Sequence, residues 1–174
     1  MAGRGIQLQF ASRSAAGGLL AALLIATPLH AESPMLYVDG MTFVASRGPA
    51  NDLVLHAVHA RFDTEKQRVY LDDVRAKVDP GDSSGEFDIT CDTGDLDIAT
   101  NDFEARGNVH GHTDDGRRFE APWVKYDHAA GLLFTNAPVL ISEDAITYRG
   151  GGFQYFVRER RFRLLGGASV VQKP

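Results

Sequence analysis

The chain has 174 residues, 44% hydrophobic and 24% charged, with a formal net charge of −5. That length suits one domain once a leader is set aside, and the acidic balance argues against nucleic acid, which calls for a net basic face. Its single cysteine, Cys91, excludes an intramolecular disulfide.

Residues 1–31 carry Arg4 and Arg13 but no acid, and hold an apolar run of 15 residues, Ala15–Leu29, followed by His30 and Ala31. A basic start, a short apolar stretch and a small residue make an export signal. The run is shorter than the roughly 20 residues that span a bilayer. A cleaved signal fits, and so does a short tilted anchor retained in a thin membrane. Residues 32–174 then form the exported domain, with 16 basic against 23 acidic side chains.

From Met35 onward almost every segment has period two, the mark of β-strands. Leu36–Val44 is the first. Leu53, Leu55 and Ala57 alternate with Val54, His56 and Val58 in a strand apolar on both sides, with His56 half-buried. Val69 and Leu71 share a face. The phase slips after Asp72-Asp73, so that Val74, Ala76 and Val78 point inward, as a β-bulge would dictate. Similar breaks stand at Gly107-Asn108 and Asn136-Ala137-Pro138. Pro80-Gly81, Asp114-Asp115-Gly116 and Asp127–Gly131 are turn signals. The spacing predicts an all-β domain of about twelve to fourteen short strands.

Four stretches look like copies of one hairpin: His59–Val78, Thr93–Gly111, Ala121–Ile141 and Gly152–Val171. Each holds a strand, a polar turn, a second strand, and a small-or-polar break followed by a closing valine, Val74, Val109, Val139 or Val170. Repetition of this kind means an extended β-array, one face buried, with free strand edges at its two ends.

Chemistry-bearing patterns are scarce. His110 and His112 stand two apart beside Asp114 and Asp115, a spacing that could pinch a metal but that a solvated pair beside a turn explains better. Asp88, Asp92, Asp95 and Asp97 alternate with apolar residues and read as an outer strand face, without the spacing of a calcium loop. Cys91 alternates inward with Phe87 and Ile89 as a buried, inert thiol. No nucleophile elbow, phosphate loop or zinc-protease pattern occurs. The expectation is a protein that is not an enzyme and needs neither metal nor cofactor.

The order of pieces in the second half resembles the LptC family of OstA-like domains. These are Ala105, Gly107, Asn108 and Val109; Asp115-Gly116; Phe119, Ala121, Tyr126, Asp127 and Gly131; Pro138-Val139; Gly150, Gly152, Phe153 and Tyr155; and Arg161–Gly166. The resemblance, spanning Met35–Val171, implies a β-jellyroll open at both ends. It implies that lipopolysaccharide passes from an inner-membrane ABC transporter through an apolar groove to an LptA-type bridge in the periplasm. LptC members keep a membrane helix where LptA members lose a signal, so the soluble LptA-type role stays open, as does an exported β-domain that carries no lipid.

The alternation nominates Phe87, Ile89, Leu96, Ile98, Phe103, Val124, Tyr126, Leu132, Phe134, Ile146, Phe153, Tyr155, Phe162 and Leu164 as the groove lining. By resemblance, Leu164, Leu165, Gly166, Gly167, Ala168, Ser169, Val170 and Val171 form the edge for the bridge, and Leu36–Val44 the edge for the transporter. Arg149, Arg158, Arg160, Arg161 and Arg163 make the last hairpin basic, suiting either phosphate or a solvated face.

Overall fold

Period-two alternation carries through to the backbone. The computed structural model describes residues 35–47, 50–79 and 86–172; the expected leader over residues 1–31 and the expected Pro80-Gly81 turn lie outside them. Ten strands follow one another: β1 (Met35–Arg47), β2 (Ala50–Asp63), β3 (Arg68–Val78), β4 (Phe87–Asp97), β5 (Phe103–Thr113), β6 (Arg118–Asp127), β7 (Leu132–Thr135), β8 (Val139–Glu143), β9 (Ile146–Phe156) and β10 (Arg161–Gln172). Ten is fewer than the twelve to fourteen expected. The strands are longer than the spacing implied: β1 and β2 run to 13 and 14 residues, and the slips at Asp73 and Gly107-Asn108 fall inside β3 and β5 without ending them.

All ten pair antiparallel in one sheet, in the order β1-β2-β3-β4-β5-β6-β7-β9-β10, with β8 taking over beside β6 and β9 where β7 stops. The turns repeat as the strands do. Gln67, Asn101, Gly131 and Arg160, at the ends of the β2–β3, β4–β5, β6–β7 and β9–β10 turns, all have φ between 52° and 62°. Asp63, Asp97 and Asp127 open the first three of these turns, and each carboxylate accepts turn N–H groups, from Lys66 at 3.0 Å, Ala99 at 3.0 Å and Ala130 at 2.8 Å. The last copy has Phe156 in that place, under the Arg161 guanidinium at 4.6 Å.

Breaks in the pairing line up. They pass from strand to strand through Gly40, Asp73, Asp92, Gly107-Asn108, Pro122, Asn136–Pro138, Gly151 and Gly166-Gly167, and shift the register between β4 and β5, β5 and β6, and β9 and β10. Six of these residues have positive φ: Gly40 at 70°, Asp73 at 51°, Gly107 at 72°, Asn108 at 43°, Gly166 at 71° and Gly167 at 85°. The result is one crease across the whole sheet, dividing it into two arms. The arm holding the β2–β3 and β9–β10 turns folds against the other. Phe87 and Phe119 of one arm stack on Tyr155 and Phe153 of the other, each pair with ring centroids 5.1 Å apart. A single sheet thereby becomes a two-layered jellyroll around one apolar interior.

The crease corrects one repeat boundary. Val139 pairs Gly150, and Gly150 pairs Ala168, so Ala168 is the counterpart of Val74, Val109 and Val139. Val170 lies two residues further on and is 61% exposed. His56 is likewise exposed, with Nδ1 at 3.0 Å from the Thr42 hydroxyl on β1, because its face of β2 is the outer one.

Candidate apolar groove and sheet edges

Most of the expected lining points inward. Phe87, Ile89, Leu96, Phe103, Val124, Tyr126, Phe153 and Tyr155 are buried, none more than 4% exposed, and they pack on one another. Ile146, Phe162 and Leu164 also face inward but are only partly covered. Three nominations fail. Leu132 and Phe134 belong to the outer face: Leu133 and Thr135 take the inward positions of β7, and Phe134 lies edge-on to Trp123 at 6.3 Å. Five apolar or semi-polar residues in a row offered two phases, and the register with β6, Tyr126 opposite Leu133, selects the other one. Ile98 follows the end of β4 in a turn and is 41% exposed.

The interior divides by position. From β3 to β8 inward side chains are sealed. At the two edges they are not. On β1 and β2 the partly covered inward residues are Val38, Met41, Phe43 and Phe62; on β9 and β10 they are Tyr148, Phe162 and Leu164. Leu36 and Val170, at the extremities, are inward in register with Phe62 and Tyr148 yet 57% and 61% exposed. Sequence alternation located these residues but could not tell a covered inward position from an open one; that depends on which strand ends the sheet. Among the described residues β1 pairs only β2, and β10 only β9, so within them each presents a row of backbone N–H and C=O groups without a strand partner.

Between the two arms at the β9–β10 edge lies a cleft of about 590 Å³. Its floor is Ile141, Tyr148, Phe162 and Leu164, and its rim is Arg117, Glu143, Glu159, Arg160 and Arg161. Phe162 stacks on buried Tyr155 at 4.2 Å, so the floor continues into the core. Arg117 is 3.2 Å from Glu143 and 3.3 Å from Asp115, and its guanidinium stands 5.9 Å from the Phe162 ring. The hydrogen bond with Glu143 raises its pKa further. Burial pushes the Asp115 carboxyl up, but the Thr113 hydroxyl and the Arg117 charge outweigh it and leave it below the usual range. Burial raises the Tyr155 phenol. Sequence reading missed Arg117, whose only signal was its place after the Asp-Gly turn.

Reactive chemistry is sparse in the described residues, which hold no cluster of three or more metal-ligating side chains. His110 and His112 lie on the outer face, paired with Glu120 at 3.9 Å and Asp88 at 3.2 Å. Cys91 is buried, its thiol donating to the Thr93 carbonyl at 3.2 Å, and burial pushes its pKa up to about 12.

One folded antiparallel sheet over an apolar interior, open at two edge strands, defines an OstA-like jellyroll. Its fold is similar to that of LptH, described as the LptA homologous periplasmic component of the conserved lipopolysaccharide transport device from Pseudomonas aeruginosa, with a TM-score of 0.55 at 12% identity over 70% of this chain and 95% of that one. No curated protein matches the chain. The family model for lipopolysaccharide-assembly, LptC-related proteins matches residues 30–171, so the chain belongs to the LptC family. Its role is accordingly in the lipopolysaccharide transport bridge, whose LptC-type and LptA-type components are transport proteins and not enzymes.

Proposed function

We propose that this chain takes lipopolysaccharide from an inner-membrane ABC transporter at its β1 edge and passes it along the inner apolar face. At β10 it hands the lipid to an LptA-type jellyroll in the periplasm, with the N-terminal segment tethering it to the inner membrane. The observation that carries the reading is the pairing of uncovered inward apolar residues with free backbone edges at both ends of the sheet and nowhere between. Acyl chains need that shelter, since each CH₂ exposed to water costs about 0.8 kcal/mol. A partner of the same fold can add its own edge strand to β10 and continue the inner face across the junction. Because the middle is filled by its own side chains, chains can advance only where the arms part. An inner lining of aliphatic and aromatic groups keeps any one inward position from holding the acyl chains.

Photo-crosslinking residues placed at Leu164 and Phe43 in the exporting cell should capture lipopolysaccharide, while one at the outward Phe134 should not. Failure at every inward position would sink the conveying role and leave an exported β-domain that carries no lipid. Deleting residues 165–174 should preserve capture at Phe43 and abolish co-purification with the bridge protein. Retained co-purification would move the interface off β10.

A further inference from the structure

The cleft at the β9–β10 edge has an apolar floor and cationic lips that come from different arms of the folded sheet. Arg160, in the β9–β10 turn, reaches Asp114 of the β5–β6 turn at 3.5 Å, and Arg117, just after that second turn, stands over Phe162 of β10 at 5.9 Å. These two contacts cross the opening. We propose that Arg117 and Arg160 form a binding site for the phosphate of an anionic amphiphile whose tails lie on Phe162 and Leu164. This rests on the lipid-conveying reading and adds which chemical group of the lipid is recognised, and where.

Three observations support it. The first is the amphipathic geometry: the Arg117 guanidinium sits beside the same ring that floors the cleft, so a tail on that ring brings its anionic head to the cation. The second is the weakness of the existing partners. Glu143, Asp114 and Asp115 are 36%, 48% and 47% exposed, and ion pairs open to water like these are screened and contribute little. A phosphate, with more charge and three acceptor oxygens for the planar guanidinium forks, displaces them. The third is local charge. In a chain of net charge −5, the segment from Ile146 to Gln172 holds five arginines and one acid, Glu159. The site thereby acts as a latch: Asp114 and Glu143 hold the lips when it is empty, and the phosphate takes both arginines over when it fills.

The test measures binding of lipopolysaccharide and of its enzymatically dephosphorylated form to the purified chain, at low and high salt. The wild type should bind the phosphorylated form about tenfold more tightly, the equivalent of about 1.4 kcal/mol. Arg117→Gln with Arg160→Gln should erase that preference while leaving affinity for the dephosphorylated form unchanged. Glu143→Gln, which frees Arg117 and conserves shape, should tighten phosphorylated lipid about threefold. This gain cannot come from misfolding. Equal binding of both forms by wild type and double variant overturns the phosphate site and leaves conveyance standing. Binding of neither form removes the conveying reading, and the site with it.

Discussion

The strands in the middle of the sheet and those at its edges obey the same alternation, yet only the middle is sealed. Phe119 on β6 has strands on both sides and the opposite arm above it, with Phe87 at 5.3 Å and Phe153 at 5.1 Å, and is 2% exposed. Phe162 on β10 has a ring neighbour at 4.2 Å but no strand beyond it, and stays partly open. Inward pattern states which face a residue takes; sheet position decides whether that face is core or groove. In a folded sheet with two open edges, the exposed apolar surface is core that lacks its last neighbour.

The largest effect should come from truncating both rings. Phe119→Ala leaves a cavity among buried aromatics and should cost about 3–5 kcal/mol. Phe162→Ala, at an edge that already lacks cover, should cost less than half as much, yet lose most lipopolysaccharide capture at Leu164. Urea denaturation with crosslinking yields both numbers, and equal stability losses would break the division between middle and edge.

The crease offers a second, smaller contrast. A Cβ on Gly152 would lie 2.5 Å from the Thr135 backbone oxygen, an atom that cannot swing aside, so Gly152→Ala should cost about 1–3 kcal/mol through overpacking. Gly40, on edge strand β1, has φ of 70° with nothing within 4 Å of the added carbon. There Gly40→Ala pays only the left-handed backbone term, about 1–2 kcal/mol. A larger loss at Gly40 than at Gly152 would show that the crease tolerates crowding and that backbone conformation dominates throughout.

Much of this was legible in the chain because it rests on local grammar. Phase slips at Asp73, Gly107-Asn108 and Asn136–Pro138 marked the crease, since a break in the strand ladder inverts the alternation wherever it occurs. Hairpin turns were legible from Asp and Gly. What failed was phase within uninterrupted apolar runs, as at Leu132, Leu133 and Phe134, where only the neighbouring strand's register chooses the face. Repeat length misled at Val170, because the last copy carries Gly166-Gly167 and its bulge closes at Ala168. The cleft was legible only in part: Phe162, Leu164, Arg160 and Arg161 were nominated, and Arg117 and Ile141 were not. Its lips, Arg117 and Arg160, are 43 positions apart and line one cleft only because the sheet folds on itself.

Cys91 reports on the middle with the smallest effect and the cleanest sign. It stands opposite Val74 in the first inward row past the crease, and burial raises its pKa to about 12. A thiol in the unfolded chain ionises near 8.5. A raised pKa on an acid means that stability is fully present below the unfolded value and is lost as pH climbs from there toward the folded one. Between pH 8 and 9.5 the wild type should therefore lose roughly 1 kcal/mol that Cys91→Ala does not lose. Over the same range, native Cys91 should resist maleimide labelling that is rapid in urea. Loading with lipopolysaccharide should speed that labelling, because acyl chains moving along the inner face must part the arms at this row. An unchanged rate in a chain proven to be loaded would confine the lipid to the edges, and make the sealed middle a scaffold that holds two binding lips apart.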